Sequence, residues 1–313
     1  MSFNRRSFIR SNALIAGALL LSDTADALAS VTRQINTVSA SLDGIHIFHT
    51  NDMSGQVARG FNGFGGLHLF RENIASQEFQ GILLDGGGFL NKEHTAGQHR
   101  EFVELMGRTG YHAATIGEAE LGFGEQHLAE LATNLLFDLV NCNYEFSNPV
   151  LKQTVKPYVV LKYGKKRIGV TGVGPNVDLQ GVGFNDPSKS LSRITRLLRE
   201  QEHCDIVVCL AHLGFEGENN NLTLAANTEG VNFIIGGNIS AAKGHGTSVV
   251  KNKAGYDVFV SHTASRASVF NHTSFAANNI IQVRTGVPGI KSRNAGFREL
   301  AKLSTSFNDH TLV

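Results

Sequence analysis

The chain has 313 residues, 42% of them hydrophobic and 18% charged, which suits one large or two small globular domains. Its 28 Lys and Arg nearly balance 27 Asp and Glu, for a net charge of +1. That balance excludes a strong field for nucleic acid or an anionic membrane. The three cysteines, Cys142, Cys204 and Cys209, are too few for a disulfide framework and lack zinc-site spacing.

Residues 1–29 read as an export segment. Arg5-Arg6 precedes Phe8, the apolar run Ala13 to Leu21 follows, and Ala27-Leu28-Ala29 offers small residues for cleavage. The run is shorter than the roughly 20 residues that span a bilayer as a helix. The arrangement resembles a twin-arginine signal. It implies a bacterial periplasmic or other extracytoplasmic location, membrane-anchored if the segment is kept. No transmembrane span is expected in the mature chain, and residues 30–42 read as a linker.

From Ile45 onward, apolar runs alternate with amphipathic stretches. Strands are expected at Ile45–His49, Ile82–Asp85, Ala113–Ile116, Phe137–Asn141, Ile168–Gly172, Ile206–His212 and Phe233–Gly237. Helices are expected at Gly66–Ser76, Glu101–Thr109, Gly124–Leu135 and Ser188–Glu202, the last capped by Ser188 or Ser190. Strands that are apolar on both faces and separated by helices indicate an α/β fold with a mainly parallel sheet, layered on a second sheet. Pro157 to Gly172 reads as a hairpin around Tyr163-Gly164-Lys165-Lys166. The domain is expected over 43–275. Residues 276–313 read as a weakly structured tail with one short helix at Phe297–Leu303.

In such sheets, chemistry sits on loops past the carboxyl ends of strands. Those loops are His49-Thr50-Asn51-Asp52-Met53-Ser54-Gly55, Asp85-Gly86-Gly87-Gly88, Gly117-Glu118-Ala119-Glu120, Ala211-His212-Leu213-Gly214 and Gly236-Gly237-Asn238-Ile239-Ser240. The three glycines after Asp85 are not followed by Lys-Ser/Thr, so they indicate a tight turn rather than a phosphate loop. In order and spacing the five loops resemble the metal-site blocks of the calcineurin-like metallophosphoesterases, in their 5′-nucleotidase branch. The flanks Leu83-Leu84-Asp85, Gly110-Tyr111-His112-Ala113-Ala114-Thr115-Ile116-Gly117 and Ile234-Ile235-Gly236-Gly237 carry the same likeness, over about residues 43–270.

The resemblance implies a layered α/β/β/α sandwich and, in the family, two divalent ions that hydrolyse phosphomonoesters. Carried over by position, an Asp ligand is kept as Asp52 and a His ligand as His212. A second His is Ser54, the bridging Asp is Gly88, and the Asn ligand is Glu118. The last two His ligands are Asn238 and Ser240, and the general-acid His is Ala119. Asp85 matches a residue that supports its loop, and Asp85 and His262 are expected at the pocket rim.

The expected function is a non-catalytic binding or assembly protein without a cofactor. It would work beside a separate nucleotidase-type substrate-binding polypeptide, because the family's second domain is not found after residue 275. Two alternatives stay open. Either Glu118 and Asn238, with Asp52 and His212, hold one Mn, Zn or Ca ion in a remodelled phosphomonoesterase, against which stands a simple pairing of Glu118 with His212, or the pocket takes a small molecule with no metal.

Overall fold

The computed structural model describes residues 35–38, 44–60, 65–76, 81–238, 246–266, 270–276, 279–286 and 297–299. The export segment lies outside them. In chain order the first half comprises β1 (Ile35–Val38), β2 (Ile45–Thr50), α1 (Leu67–Ser76), β3 (Ile82–Asp85), α2 (Ala96–Thr109), β4 (Ala113–Thr115), α3 (Glu118–Leu121), α4 (Gly124–Ala132), β5 (Asp138–Val140), β6 (Tyr144–Phe146), α5 (Pro149–Thr154) and β7 (Val155–Lys156). The second half comprises β8 (Tyr158–Tyr163), β9 (Lys166–Val173), β10 (Val182–Phe184), α6 (Pro187–Glu200), β11 (Ile206–Ala211), α7 (Asn221–Asn227), β12 (Phe233–Gly236), β13 (Gly246–Lys251), β14 (Asp257–His262), β15 (Phe270–Ala276), β16 (Asn279–Gly286) and β17 (Phe297–Glu299).

Two large sheets stack face to face. One runs β1-β8-β9-β11-β12-β14-β13 and the other β17-β16-β15-β2-β3-β4-β5-β7, with β10 and β6 as a separate pair. Parallel neighbours dominate the centre of each, as in β11 beside β9 (Ile206 opposite Ile168) and β2 beside β3 (Ile47 opposite Ile82). Between the sheets lies a layer of Ile47, Ile82, Leu84, Val170, Val208, Leu210, Phe233 and Phe259. Helices α6 and α7 cover one outer face through Leu191, Ile194, Leu198 and Leu224. The other is covered by α1, α2 and α4 through Phe70, Phe102, Met106 and Leu128. Both faces of each central strand are therefore covered, and the architecture is the expected α/β/β/α sandwich.

Local chemistry sets the element ends. Helix α2 begins at Ala96, ahead of the expected Glu101, because Thr95 and Gln98 form a reciprocal capping box. Helix α6 is capped by Asp186, which accepts from the Lys189 N–H, rather than by Ser188 or Ser190. Pro187 takes the first turn, where no N–H is needed. The hairpin of β8 and β9 forms as expected, with Tyr163 opposite Lys166.

Two expectations are corrected. The stretch 30–42 contains β1, parallel to β8 with Ile35 opposite Val160. The supposed tail continues the second sheet: β16 pairs with β15, and β17 with β16. Phe297 to Glu299 is thus extended rather than helical, and residues 300–303 lie outside the described set. The physical reason is that β15, hydrogen-bonded to β2 on one side, offers an unfilled row of backbone groups on the other. All three cysteines are free and buried. Among the described residues no helix is long and apolar enough to cross a membrane.

Candidate active site

The loops after β2, β3, β4, β11 and β12 meet at one end of the sandwich. The first two are laced together by backbone bonds. Asp52 N–H donates to Gly87 O at 2.8 Å, Ser54 N–H to Gly88 O at 2.9 Å, and Gly55 N–H to Phe89 O at 2.7 Å. To run in this register Asp52 and Ser54 take left-handed backbone conformations, with φ of 51° and 50°. Few non-glycine residues do so.

The two kept positions meet directly. His212 Nε2 lies 3.0 Å from Asp52 Oδ1, and their side chains are only 5% and 14% exposed. The same Oδ1 accepts the Asn238 N–H at 3.1 Å, while Oδ2 accepts from Asn51 Nδ2 at 2.8 Å. Burial disfavours charge on His212. The hydrogen bond and charge of Asp52, with the charges of Glu120 and Asp85, outweigh it and raise its pKa. The imidazole fills its space: a Cβ on Gly87, Gly88, Gly117 or Gly237 would come within 2.9, 2.7, 2.4 and 2.5 Å of it.

The other candidates separate. Glu118 is corrected: it neither pairs with His212 nor faces the site. It opens α3 on the surface and binds Lys92 Nζ at 2.8 Å, with both side chains more than half exposed. Glu120, two residues on, turns inward instead. It is fully buried and accepts the N–H groups of Gly117 (2.8 Å), Leu90 (2.9 Å) and Gly88 (3.1 Å). It thereby ties the loop after β4 to the loop after β3. The sequence reading did not single it out, although its place three residues after Gly117 is where a Glu can reach back to a helix start.

Asp85 is also corrected, because it is completely buried rather than at the rim. It accepts from Thr50 Oγ1 at 2.6 Å and the Gly87 N–H at 2.9 Å, and burial pushes its pKa well up against these bonds. Ser54 Oγ stays local, 3.4 Å from Asp52 O. Asn238 is exposed, with φ of 63°, and its contribution is the backbone N–H. Half-buried Ala119 brings no titratable group, and Ser240 lies outside the described residues. His262, half-buried at the end of β14, packs its ring 4.6 Å from Phe215. Its neighbour Thr263 was not foreseen. Thr263 N–H and Oγ1 both donate to Asn51 Oδ1, at 2.7 and 2.9 Å, fixing the amide that holds Asp52.

No family model matches the chain. Solved structures do. The 5′-nucleotidase precursor of Thermus thermophilus superposes with a TM-score of 0.65 at 23% identity, covering 78% of this chain and 54% of that one. The calcineurin-like phosphoesterase YfkN of Bacillus subtilis gives 0.61 at 18% identity, covering 80% and 93%. The chain has the calcineurin-like metallophosphoesterase fold. A sequence relative agrees: the trifunctional nucleotide phosphoesterase protein YfkN of Bacillus subtilis is 24% identical over 204 residues, which is 52% of this chain and 14% of that protein. The chain thus spans a small part of that relative and about half of the Thermus nucleotidase.

The metallophosphoesterase fold implies a metal centre, and the donors here do not fit one of two ions. Among the described residues no group of three or more His, Cys, Asp or Glu side chains is placed to hold a metal. Gly88 has no side-chain donor, and its carbonyl oxygen accepts the Ser54 N–H. A cation needs lone pairs, yet the Asn238 backbone aims an N–H at the Asp52 carboxylate. Glu118 is engaged on the surface by Lys92.

Proposed function

We propose that this chain is a non-catalytic relative of the 5′-nucleotidases that acts outside the cytoplasm as a binding or assembly protein. One contact supports this above all: Asp52 and His212, which match two ligand positions of the family, are hydrogen-bonded directly to each other. Two divalent ions about 4 Å apart repel unless a carboxylate is shared between them. Gly88 offers none, so the carboxylate of Asp52 is met from within the chain by His212, the Asn238 N–H and Asn51. Such a network ties the loops together through the chain's own groups.

The strands beneath stay buried and largely apolar while the loop tips differ from the family pattern. A chain under no selection would accumulate core changes too, since most substitutions destabilise. A retained fold with altered tips therefore fits a role in recognition. The partner we favour is a separate polypeptide of the nucleotidase substrate-binding type. The paired arginines Arg5 and Arg6 support export in the folded state.

The test is metal analysis of the purified protein with phosphatase assays on nucleoside monophosphates in Mg, Mn, Zn and Ca. The expected result is turnover at background with every ion and less than stoichiometric metal. Metal-dependent turnover by the unmodified protein, abolished by His212→Ala, would establish a one-metal phosphomonoesterase instead.

A further inference from the structure

An open groove lies on the outside of the molecule, on the solvent side of α6. Its volume is about 390 Å³, open to solvent, and it is lined by Lys189, Ser192, Arg193 and Arg196 of α6, Asn227 at the end of α7, and Lys253 in the turn between β13 and β14. Helical geometry explains the basic row. Leu191, Ile194 and Leu198 pack inward on the sheet, which turns Lys189, Arg193 and Arg196, at spacings of four and three, outward on one face. From Lys189 to Arg196 the row rises about 10 Å along the helix axis, at 1.5 Å per residue.

Several other cations of the described residues are neutralised locally, and these are not. Lys92, Arg108, Lys156, Lys166, Arg167 and Lys251 each have a carboxylate oxygen within 2.6 to 2.8 Å. Lys189, Arg193, Arg196 and Lys253 are exposed, and among the described residues their side chains make neither hydrogen bond nor ion pair. Lys251, two residues from Lys253, shows that a carboxylate could be supplied locally: it binds Asp257 at 2.6 Å. In a chain of net charge +1 the groove is a local excess of positive charge that the fold itself leaves uncompensated.

We propose that this groove docks an acidic segment of a partner polypeptide, with the guanidinium groups of Arg193 and Arg196 taking carboxylates and Lys189 and Lys253 flanking them. The lining favours this over other anions. It contains no aromatic ring on which a nucleobase could stack. None of the exposed large hydrophobic residues Phe123, Leu136, Phe184, Val249 and Tyr256 lines it, so it has no apolar anchor for a membrane. A row of cations about 10 Å long exceeds what one phosphate can contact, but matches successive carboxylates along a peptide. Arginine also suits planar, two-pronged carboxylate recognition. The surface is independent of Asp52 and His212, so the proposal stands whether or not that site turns over a substrate.

The test is fluorescence anisotropy of a labelled oligoglutamate peptide with the full chain. Binding is expected at low salt, weakening about tenfold or more as salt rises from about 0.02 to 0.2 M and screening shortens. Arg193→Glu with Arg196→Glu should weaken it about tenfold with an unchanged melting curve. Arg108→Glu, an equal kind of charge reversal on α2, should not. Three results would overturn the proposal: no binding at low salt, equal weakening by Arg108→Glu, or competition by inorganic phosphate or phosphatidylglycerol vesicles as effective as by unlabelled peptide.

Discussion

Gly88→Ala tests how tightly the Asp52–His212 pair closes the site. Gly88 has a φ of +71°, and an added Cβ would lie 2.7 Å from both Asp52 Oδ1 and His212 Nε2. Holding a non-glycine residue in the left-handed region costs about 1–2 kcal/mol. The Cβ must also part the pair, since the imidazole is hemmed in by Gly87, Gly117 and Gly237. A hydrogen bond to a charged group contributes about 1.5–3 kcal/mol. Together these give a loss of about 3–5 kcal/mol and, at roughly 2–4 °C per kcal/mol for a domain of this size, a fall in Tm of about 6–20 °C. Gly124→Ala is the control. Its φ is +84° with nothing within 4 Å of the added carbon, so it carries the backbone cost alone. Urea denaturation should place Gly88→Ala about 2 kcal/mol below Gly124→Ala. If the two cost the same, the pair does not fill the site and the case for a closed, metal-free arrangement fails.

Four other outcomes are expected. Glu120→Ala leaves three buried N–H donors without their acceptor and should cost about 4 kcal/mol in urea denaturation, with Glu120→Gln near half of that; a loss below about 1 kcal/mol would mean another group takes its place. His49, buried beside Phe233 and bonded to Ser261, has its pKa lowered from 6.5 to about 3 by burial and by His262. The unfolded chain therefore binds the proton first, so stability is full above pH 6.5 and falls as pH drops from 6.5 toward 3. The fall should reach about 2 kcal/mol by about pH 5, and His49→Gln, compared over the same pH series, should lack that part of it. Chelator should leave Tm unchanged, whereas an ion held at about 100 times its Kd would add about 2.7 kcal/mol and its removal would show as a drop of several degrees. Replacing Arg5 and Arg6 with Lys should retain the precursor in the cytoplasm by fractionation; normal export would refute the twin-arginine reading.

The strands that carry the site were legible because burial on both faces demands continuous apolar runs. Ile82 to Asp85, Ile206 to Ala211 and Phe233 to Gly236 stand out for that reason, and the loops between them fall where the family blocks do. Edge elements were not legible. Phe297 to Glu299 and Ile35 to Val38 carry no such run, and they are strands because a neighbouring strand presents backbone groups to them. Within the site, the resemblance to the family blocks singled out Asp52 and His212 as matching ligand positions and Gly88 as the position of the family's bridging Asp. Tertiary structure decided what each side chain touches. Glu118 and Glu120 are the same residue type two positions apart on one short helix. The helix turn sends the first to Lys92 in solvent and the second under three backbone N–H groups. Whether a carboxylate meets a cation, a histidine or an amide depends on which loop lies opposite, and that is set only when the two sheets pack.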